Sequence, residues 1–308
     1  MSLLILYFLI HLICSSAYGT RRSCGNLLIF ALVPSPFDSI PVAKHVKRSP
    51  LRRWLGRQFY IAKRWYQWNK SDAKFATPQP ETLLPYLIKI HQSLLLRPLK
   101  NVDMQLQRNK ITNLALAVEK INRVVIEPGE TFSFWKIVGK PTARKGYLTG
   151  LVLQDGQARE GIGGGLCQLG NLLYWMALHS PLEVNERYRH GFDVFPDVNR
   201  TIPFGCGATL SYNYIDLQLY NPTDQPYQLV FSFSDTHLQG QLRSSVASDL
   251  EYQVYESKHL MRGEIWGGYT RHNQIRRKVL NKLTGEELTD EWVTENHAIM
   301  MYNPLLEK

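Results

Sequence analysis

Residues 105–134, QLQRNKITNLALAVEKINRVVIEPGETFSF, change period partway along. As far as Ile121 the apolar residues recur at helical spacing. Leu106, Ile111, Leu114, Ala115, Val118 and Ile121 fall near one stripe, which predicts an amphipathic helix. Beyond it, Val124-Val125-Ile126, a Pro128-Gly129 turn and Thr131-Phe132-Ser133-Phe134 predict two short strands around a tight turn.

Helix first and strand afterwards is also the order of the whole chain. Residues 80–97 read as a mostly apolar helix or helix pair, and 147–154 as a strand. Residues 208–243 are strand-rich, with ATLSYNY, IDLQLYN, PYQLVFSFS and HLQGQLR separated by turn signals such as Asn221-Pro222-Thr223-Asp224. The tail adds strands near 251–256, 275–281 and 294–302. No internal repeat is present. The order predicts an α+β fold: amphipathic helices leading into a mainly antiparallel β domain, with a Gly-rich turn and a Cys-bearing helix packed on the sheet.

The 308 residues are 44% hydrophobic and 20% charged, an ordinary globular composition that excludes a disordered chain, a collagen-like repeat and a disulfide-stapled miniprotein. The net charge of +10 is unevenly placed. Residues 1–70 hold 11 of the 36 bases and one acid, Asp38, leaving 25 bases against 25 acids in the remainder. A basic arm on a neutral body points to a polyanionic surface, an anionic membrane or wall polymer. Nucleic acid is not expected, because no nucleic-acid-binding motif is found.

Three regions follow. Residues 1–40 form an apolar extension that includes LLILYFLIHLICSS at 3–16, followed by the small-x-small triplet Ala17-Tyr18-Gly19. It reads as a signal or anchor, although it is short for a span and lacks a basic leader. The expected location is the cell envelope, in association with membrane, or the cytoplasm if residues 1–40 are not a signal. Residues 41–75 form a basic amphipathic segment. In LRRWLGRQFYIAKRWY, residues 51–66, Arg52, Arg53, Arg57, Lys63 and Arg64 interleave with apolar residues at helical spacing. Residues 44–70 therefore either contact an anionic membrane or wall polymer, or dock on their own domain through the Trp and Tyr face. Residues 76–308 form the main domain, with a core at about 105–245 and a β extension at 246–308.

The chemistry concentrates in GIGGGLCQLGNLLYWMALH, residues 161–179. Gly163, Gly164 and Gly165 permit conformations and close approaches that a Cβ forbids. From Leu166 the pattern turns helical, which places Cys167 in a first turn, where free N–H groups and the helix dipole favour a thiolate. Gln168 and the backbone N–H of Cys167 offer donors to an oxyanion. The competing reading makes Cys167 a small buried residue at a packed helix start. A thiol nucleophile needs a base, and His190 is the candidate, one helix and one loop downstream. Asp193 or Asp216 is placed to orient its imidazole. His179, three turns along the helix, reads as a C-terminal cap. Four cysteines are too few for a disulfide framework, and a Cys167–Cys206 bridge stays open. Cys167, Cys206, His179 and His190 lack metal-ligand spacing, so neither metal nor cofactor is expected.

These residues resemble the VanW family, named for an accessory protein of vancomycin B-type resistance clusters. The resemblance rests on Arg108-Asn109, Ile126-Glu-Pro-Gly-Glu-Thr-Phe-Ser-Phe-Trp135, Gly146-Tyr147 and Gly163-Gly-Gly-Leu-Cys-Gln168. It continues through Glu186-Arg187 with His190, Asp193-Val-Phe-Pro-Asp197, Gly207-Ala-Thr209, and Asp216-Leu217 with Asn221. It implies a Gram-positive cell-wall protein of antibiotic resistance. Some members look like cysteine L,D-transpeptidases acting on peptidoglycan stem peptides. The implied roles are Cys167 as nucleophile and His190 as base, with Gln168, Gly163, Gly164, Gly165 and Arg187 on the substrate and oxyanion side. The alternative is a non-catalytic accessory or binding module of glycopeptide resistance or wall metabolism. Two positions depart from the family pattern: Gly207 stands where many members carry Asp, and Gly170 where Ser is common.

Overall fold

In a computed structural model, residues 49–70, 72–77, 82–97, 103–197 and 201–305 are described. The apolar extension at 1–40, with Cys14 and Cys24, lies outside them. The chain runs α1 (Pro50–Lys70), β1 (Lys74–Phe75), β2 (Tyr86–Leu94), α2 (Met104–Ile121), β3 (Val125–Ile126), β4 (Glu130–Ser133) and α3 (Phe134–Val138). It continues through β5 (Thr149–Gln154), β6 (Gln157–Ile162), α4 (Cys167–Leu178), β7 (Glu183–Glu186), β8 (Phe192–Asp193), β9 (Gln218–Tyr220), β10 (Tyr227–Phe233) and β11 (His237–Ser244). Three long strands close it: β12 (Leu250–Gly263), β13 (Tyr269–Asn281) and β14 (Glu287–Met300). The fold is α+β, with several antiparallel sheets and a few helices.

The period change at Ile121 marks a real boundary. Asp103 caps α2 by accepting the Gln105 N–H, at 2.8 Å, and the helix buries Leu114, Ala117, Val118 and Ile121. Ala115 faces water instead, because Ala117 takes the core position. After the helix, Gly129 takes φ +76° in the turn between β3 and β4, a conformation that costs glycine nothing.

The sheets have strand orders β1-β4-β9-β7, β2-β11-β10-β3 and β12-β13-β14-β8, with β5-β6 a separate hairpin. Pairing is antiparallel except for β1 with β4 and β8 with β14. Residues 80–97 overturn the helical expectation: Tyr86–Leu94 is a strand paired antiparallel with β11 from His237↔Leu94 to Ser244↔Tyr86. The apolar run is ambiguous by itself, and a partner strand some 150 residues away along the sequence decides it. The tail strands are also longer than expected, since polar alternation such as RHNQIRRK in β13 carries little apolar signal.

α4 lies against β2 and β11. Leu172 and Met176 press so closely on Gly240 of β11 that a Cβ there would meet the Met176 methyl at 2.9 Å and the Leu172 Cδ2 at 3.0 Å. Nine of the twelve α4 residues are buried, so this helix forms the centre of the core. α1 is different, because only Arg64 and Trp68 are buried. It docks through Arg64 on Glu186 at 2.5 Å, Arg53 on Asp155 at 3.0 Å, and Tyr60 edge-on to Tyr214 at 5.2 Å. Trp68 adds a contact beneath the Lys136 ammonium. Docking through a Trp and Tyr face therefore holds for Tyr60, Trp68 and Trp65, whose side chain hydrogen-bonds Tyr212, while Trp54, Phe59 and Tyr66 remain outside. No helix among the described residues is long and apolar enough to cross a membrane.

Candidate functional site

Cys167 begins α4, directly after the glycine run. The run is fixed by three neighbours. A Cβ on Gly164 would strike the Gly150 backbone of β5, one on Gly165 would strike the Lys110 side chain of α2, and one on Gly163 would meet Pro141 at 2.7 Å. Asn113, fully buried on α2, holds the turn. Its Nδ2 donates to Gly164 O at 2.9 Å and Leu148 O at 3.0 Å, and its Oδ1 accepts the Leu148 N–H at 2.8 Å. The glycines therefore place the start of α4 by close packing against α2 and β5.

The thiol of Cys167 accepts the Leu210 N–H at 3.4 Å and lies 3.9 Å from Leu210 O. Burial pushes its pKa up, opposed by N–H groups of Leu210 and of Cys167 itself. The helix-start position therefore does not by itself yield a thiolate, because loss of hydration outweighs the local donors. No disulfide joins Cys206 to Cys167.

The segment from Gly207 to Leu210 lies between two partners. On one side, Asn171 of α4 accepts the Ala208 N–H at 2.7 Å and Cys167 holds Leu210. On the other, Arg187 Nε donates to Gly207 O at 2.8 Å, and the Thr209 N–H donates to Tyr188 O at 2.7 Å. The chain leading to His190 thus runs beside the segment that anchors the thiol. His190 is half-buried and makes no hydrogen bond among the described residues. Burial, then the charge of Arg189, lowers its pKa, so the ring is neutral near pH 7. No hydrogen bond joins it to Cys167.

The other predicted residues are held by the fold. Gln168 Nε2 donates to Ser93 Oγ and Leu94 O, both at 2.9 Å, which ties α4 to β2. Arg187 also binds Gly205 O, and its guanidinium lies 4.7 Å from the Tyr174 ring centre. Asp193 accepts from Tyr302 Oη at 3.0 Å and Arg271 Nη1 at 3.3 Å, within the sheet of β8 and β14. Asp216 is fully buried and accepts from Ser133 Oγ at 2.6 Å, Leu217 N at 2.9 Å and Trp135 N at 3.0 Å. Neither carboxylate is bonded to His190. His179 caps α4, with Nδ1 2.9 Å from Trp175 O, and burial lowers its pKa to about 4.

Two side chains near the thiol escaped the sequence reading. Lys110 lies against Gly165, with Nζ 2.8 Å from Gln107 Oε1; burial, then Arg97, lowers its pKa to about 8. Thr209 Oγ1 is buried with no hydrogen-bond partner among the described residues, one position before Leu210. The available signal was polar: Gln107, Lys110 and Asn113 recur every third residue along α2 and turn inward. Among the described residues no cluster of His, Cys, Asp and Glu is arranged to hold a metal.

Comparison with known proteins matches this layout to one family. The family model described as VanW like protein matches residues 109–243, the span from α2 to β11. A vancomycin B-type resistance protein VanW from Enterococcus faecalis is 34% identical over 227 residues, covering 74% of this chain and 82% of that protein. YoaR of Bacillus subtilis, an uncharacterized protein, is 32% identical over 122 residues, 39% of this chain and 38% of its own length. No solved structure matches. The chain belongs to the VanW family.

Proposed function

We propose that this protein is a cell-envelope acyltransferase that acts on peptidoglycan stem peptides through a thioester on Cys167, in the setting of glycopeptide resistance named for its enterococcal relative. One observation carries the reading. Gly207–Leu210 is bonded to Cys167 and Asn171 on one side and to Arg187 and Tyr188 on the other, so the chain bearing a neutral His190 runs beside the thiol's anchor. His190 takes the Cys167 proton and the sulfur attacks a stem-peptide carbonyl carbon. The amide C–N bond then breaks as the imidazolium returns its proton to the leaving amine. An acceptor amine attacks the thioester, loses its proton to His190, and the thiolate departs. The Leu210 and Cys167 N–H groups, which already face the sulfur, stabilise the thiolate. The unpartnered Thr209 hydroxyl supplies a donor for the substrate. Asp193 and Asp216 act as structural carboxylates in this scheme.

A second reading rests on a different observation. Cys167 is half-buried, loss of hydration raises its pKa, and among the described residues no imidazole is bonded to its sulfur. Those are properties of a structural cysteine, and they favour an accessory module that binds wall peptide without turning it over.

Incubation of the purified chain with disaccharide-tetrapeptide muropeptides, with Cys167→Ala in parallel, separates the two. An acyl adduct on intact protein, together with cross-linked or trimmed product, both lost in Cys167→Ala, is expected of the enzyme. Muropeptide binding without adduct, by a folded protein whose Cys167 alkylates slowly at pH 7, supports the accessory module and defeats the enzyme.

A further inference from the structure

We propose that α1 is a membrane-surface helix that seats the protein on an anionic lipid bilayer. The helix carries Arg52, Arg53, Arg57, Lys63, Arg64 and Lys70 and no acidic residue. At about 100° per residue, its docked side chains Arg53, Tyr60, Arg64 and Trp68 fall within an arc of roughly 80°. Leu51, Trp54, Leu55, Phe59 and Tyr66 centre on the opposite side, and each is more than half exposed, while Trp65 at the edge of that side reaches back to Tyr212. Gln58 and Asn69 are the polar residues on that side. Arg52, Lys63 and Lys70 line one border of it, and none has an ion-pair partner among the described residues.

Ordinary amphipathic helices bury the apolar face and expose the charges. α1 does the reverse with Arg64, which it buries against Glu186, so its outer apolar face is left for something beyond the domain. An exposed stripe of Leu, Phe and Trp bordered by unpaired cations fits the boundary between lipid headgroups and acyl chains. Aromatic rings take the interface, and Lys and Arg take the phosphates.

Charge selects this occupant over the others. Residues 1–48 contain five bases and the single acid Asp38, so they repel the cationic border. A second copy brings the same cations to the same face. A nucleic acid satisfies the cations and leaves Leu51 and Leu55 in water. An anionic bilayer satisfies both the charge and the apolar stripe.

The test uses the full chain with vesicles of phosphatidylcholine alone, or mixed with phosphatidylglycerol. In mixed vesicles carrying brominated lipid, tryptophan fluorescence is expected to be quenched, and most of that quenching is lost in Trp54→Phe. Arg52→Glu/Lys63→Glu is expected to raise the lipid concentration for half-binding by about tenfold or more. Because these positions are exposed, both variants should keep the wild-type Tm. Absent quenching, quenching that survives Trp54→Phe, or binding indifferent to phosphatidylglycerol would each overturn the proposal. So would self-association, or capture by nucleic acid or wall polymer, that the same variants abolish while vesicles go unbound.

Discussion

α4 and α1 are both rich in Leu, Trp and Tyr, yet they are held in opposite ways. α4 turns nine of twelve residues into the core. α1 buries two of twenty-one, and one of those is an arginine. Apolar content therefore does not say which side of a helix meets the protein. In α4, burial of area does the holding. In α1, two ion pairs and the contacts of Tyr60, Trp65 and Trp68 do it. The first helix belongs to the cooperative core, and the second is attached to it.

The largest expected effect lies in α4. Leu172 is almost fully buried and packs directly on Gly240, where no side chain intervenes. Leu172→Ala should cost about 2–5 kcal/mol, the range for a cavity in a packed core. Denaturant melts would show a shifted midpoint at unchanged slope. A loss under about 1 kcal/mol would mean that α4 is no more integral than α1.

Asp216 links the two regions. Its N–H donates to Glu186 Oε1 at 3.0 Å, the same oxygen that Arg64 holds, and its carboxylate gathers Ser133 and Trp135. Burial raises its pKa from 3.8 to about 6, opposed by Ser133 and Trp135. The folded state thus binds this proton more tightly than the unfolded chain does. Its stabilising contribution is complete below about pH 4 and is lost as pH rises through about 6, by about 2–3 kcal/mol at one pKa unit per 1.36 kcal/mol. Asp216→Asn should flatten that part of the stability–pH curve. A slope that persists in Asp216→Asn would assign it to other groups.

Arg64→Ala is expected to release α1 while leaving α4 in place. The Arg64–Glu186 pair is mostly buried, and removing one partner leaves a carboxylate short of a donor. The remaining N–H from Asp216 limits the cost to about 1–3 kcal/mol. Hydrogen exchange should quicken through Pro50–Lys70 and stay slow in Leu169–Leu178. Equal quickening in both helices would mean that α1 is part of the core after all.

How much of this was legible depended on which residues carried the signal. The α2 stripe and the switch to β3 and β4 could be read because 3.6-residue and 2-residue periods differ within one short stretch. β2 could not be read, since Leu87, Ile88 and Ile90 suit helix or strand and only pairing with β11 decides. Around the site, Cys167 stood out because a glycine run precedes it. Its actual partner, Leu210, is an apolar residue acting through its backbone, which no side-chain pattern announces. Lys110 and Thr209 were hidden for a related reason. Their importance comes from burial beside the glycine turn, and burial of a polar residue follows from the tertiary contact. The inverted docking of α1 was likewise invisible, because Arg64 reads as solvated until Glu186 is placed against it.

The smallest expected effect is the most telling for the comparison. Phe59 is 64% exposed, and its ring contact runs to Tyr60 on the same helix, at 5.4 Å between centroids. Removing an exposed ring opens no cavity, so Phe59→Ala should change stability by no more than about 0.5 kcal/mol. Truncating Leu172 in α4 costs several times that. A clear destabilisation by Phe59→Ala would show that the outer face of α1 is covered within the protein itself, and would remove the apolar stripe from solvent. A silent Phe59→Ala leaves the residue with no part in folding, and makes weakened vesicle binding by that same variant attributable to lost lipid contact.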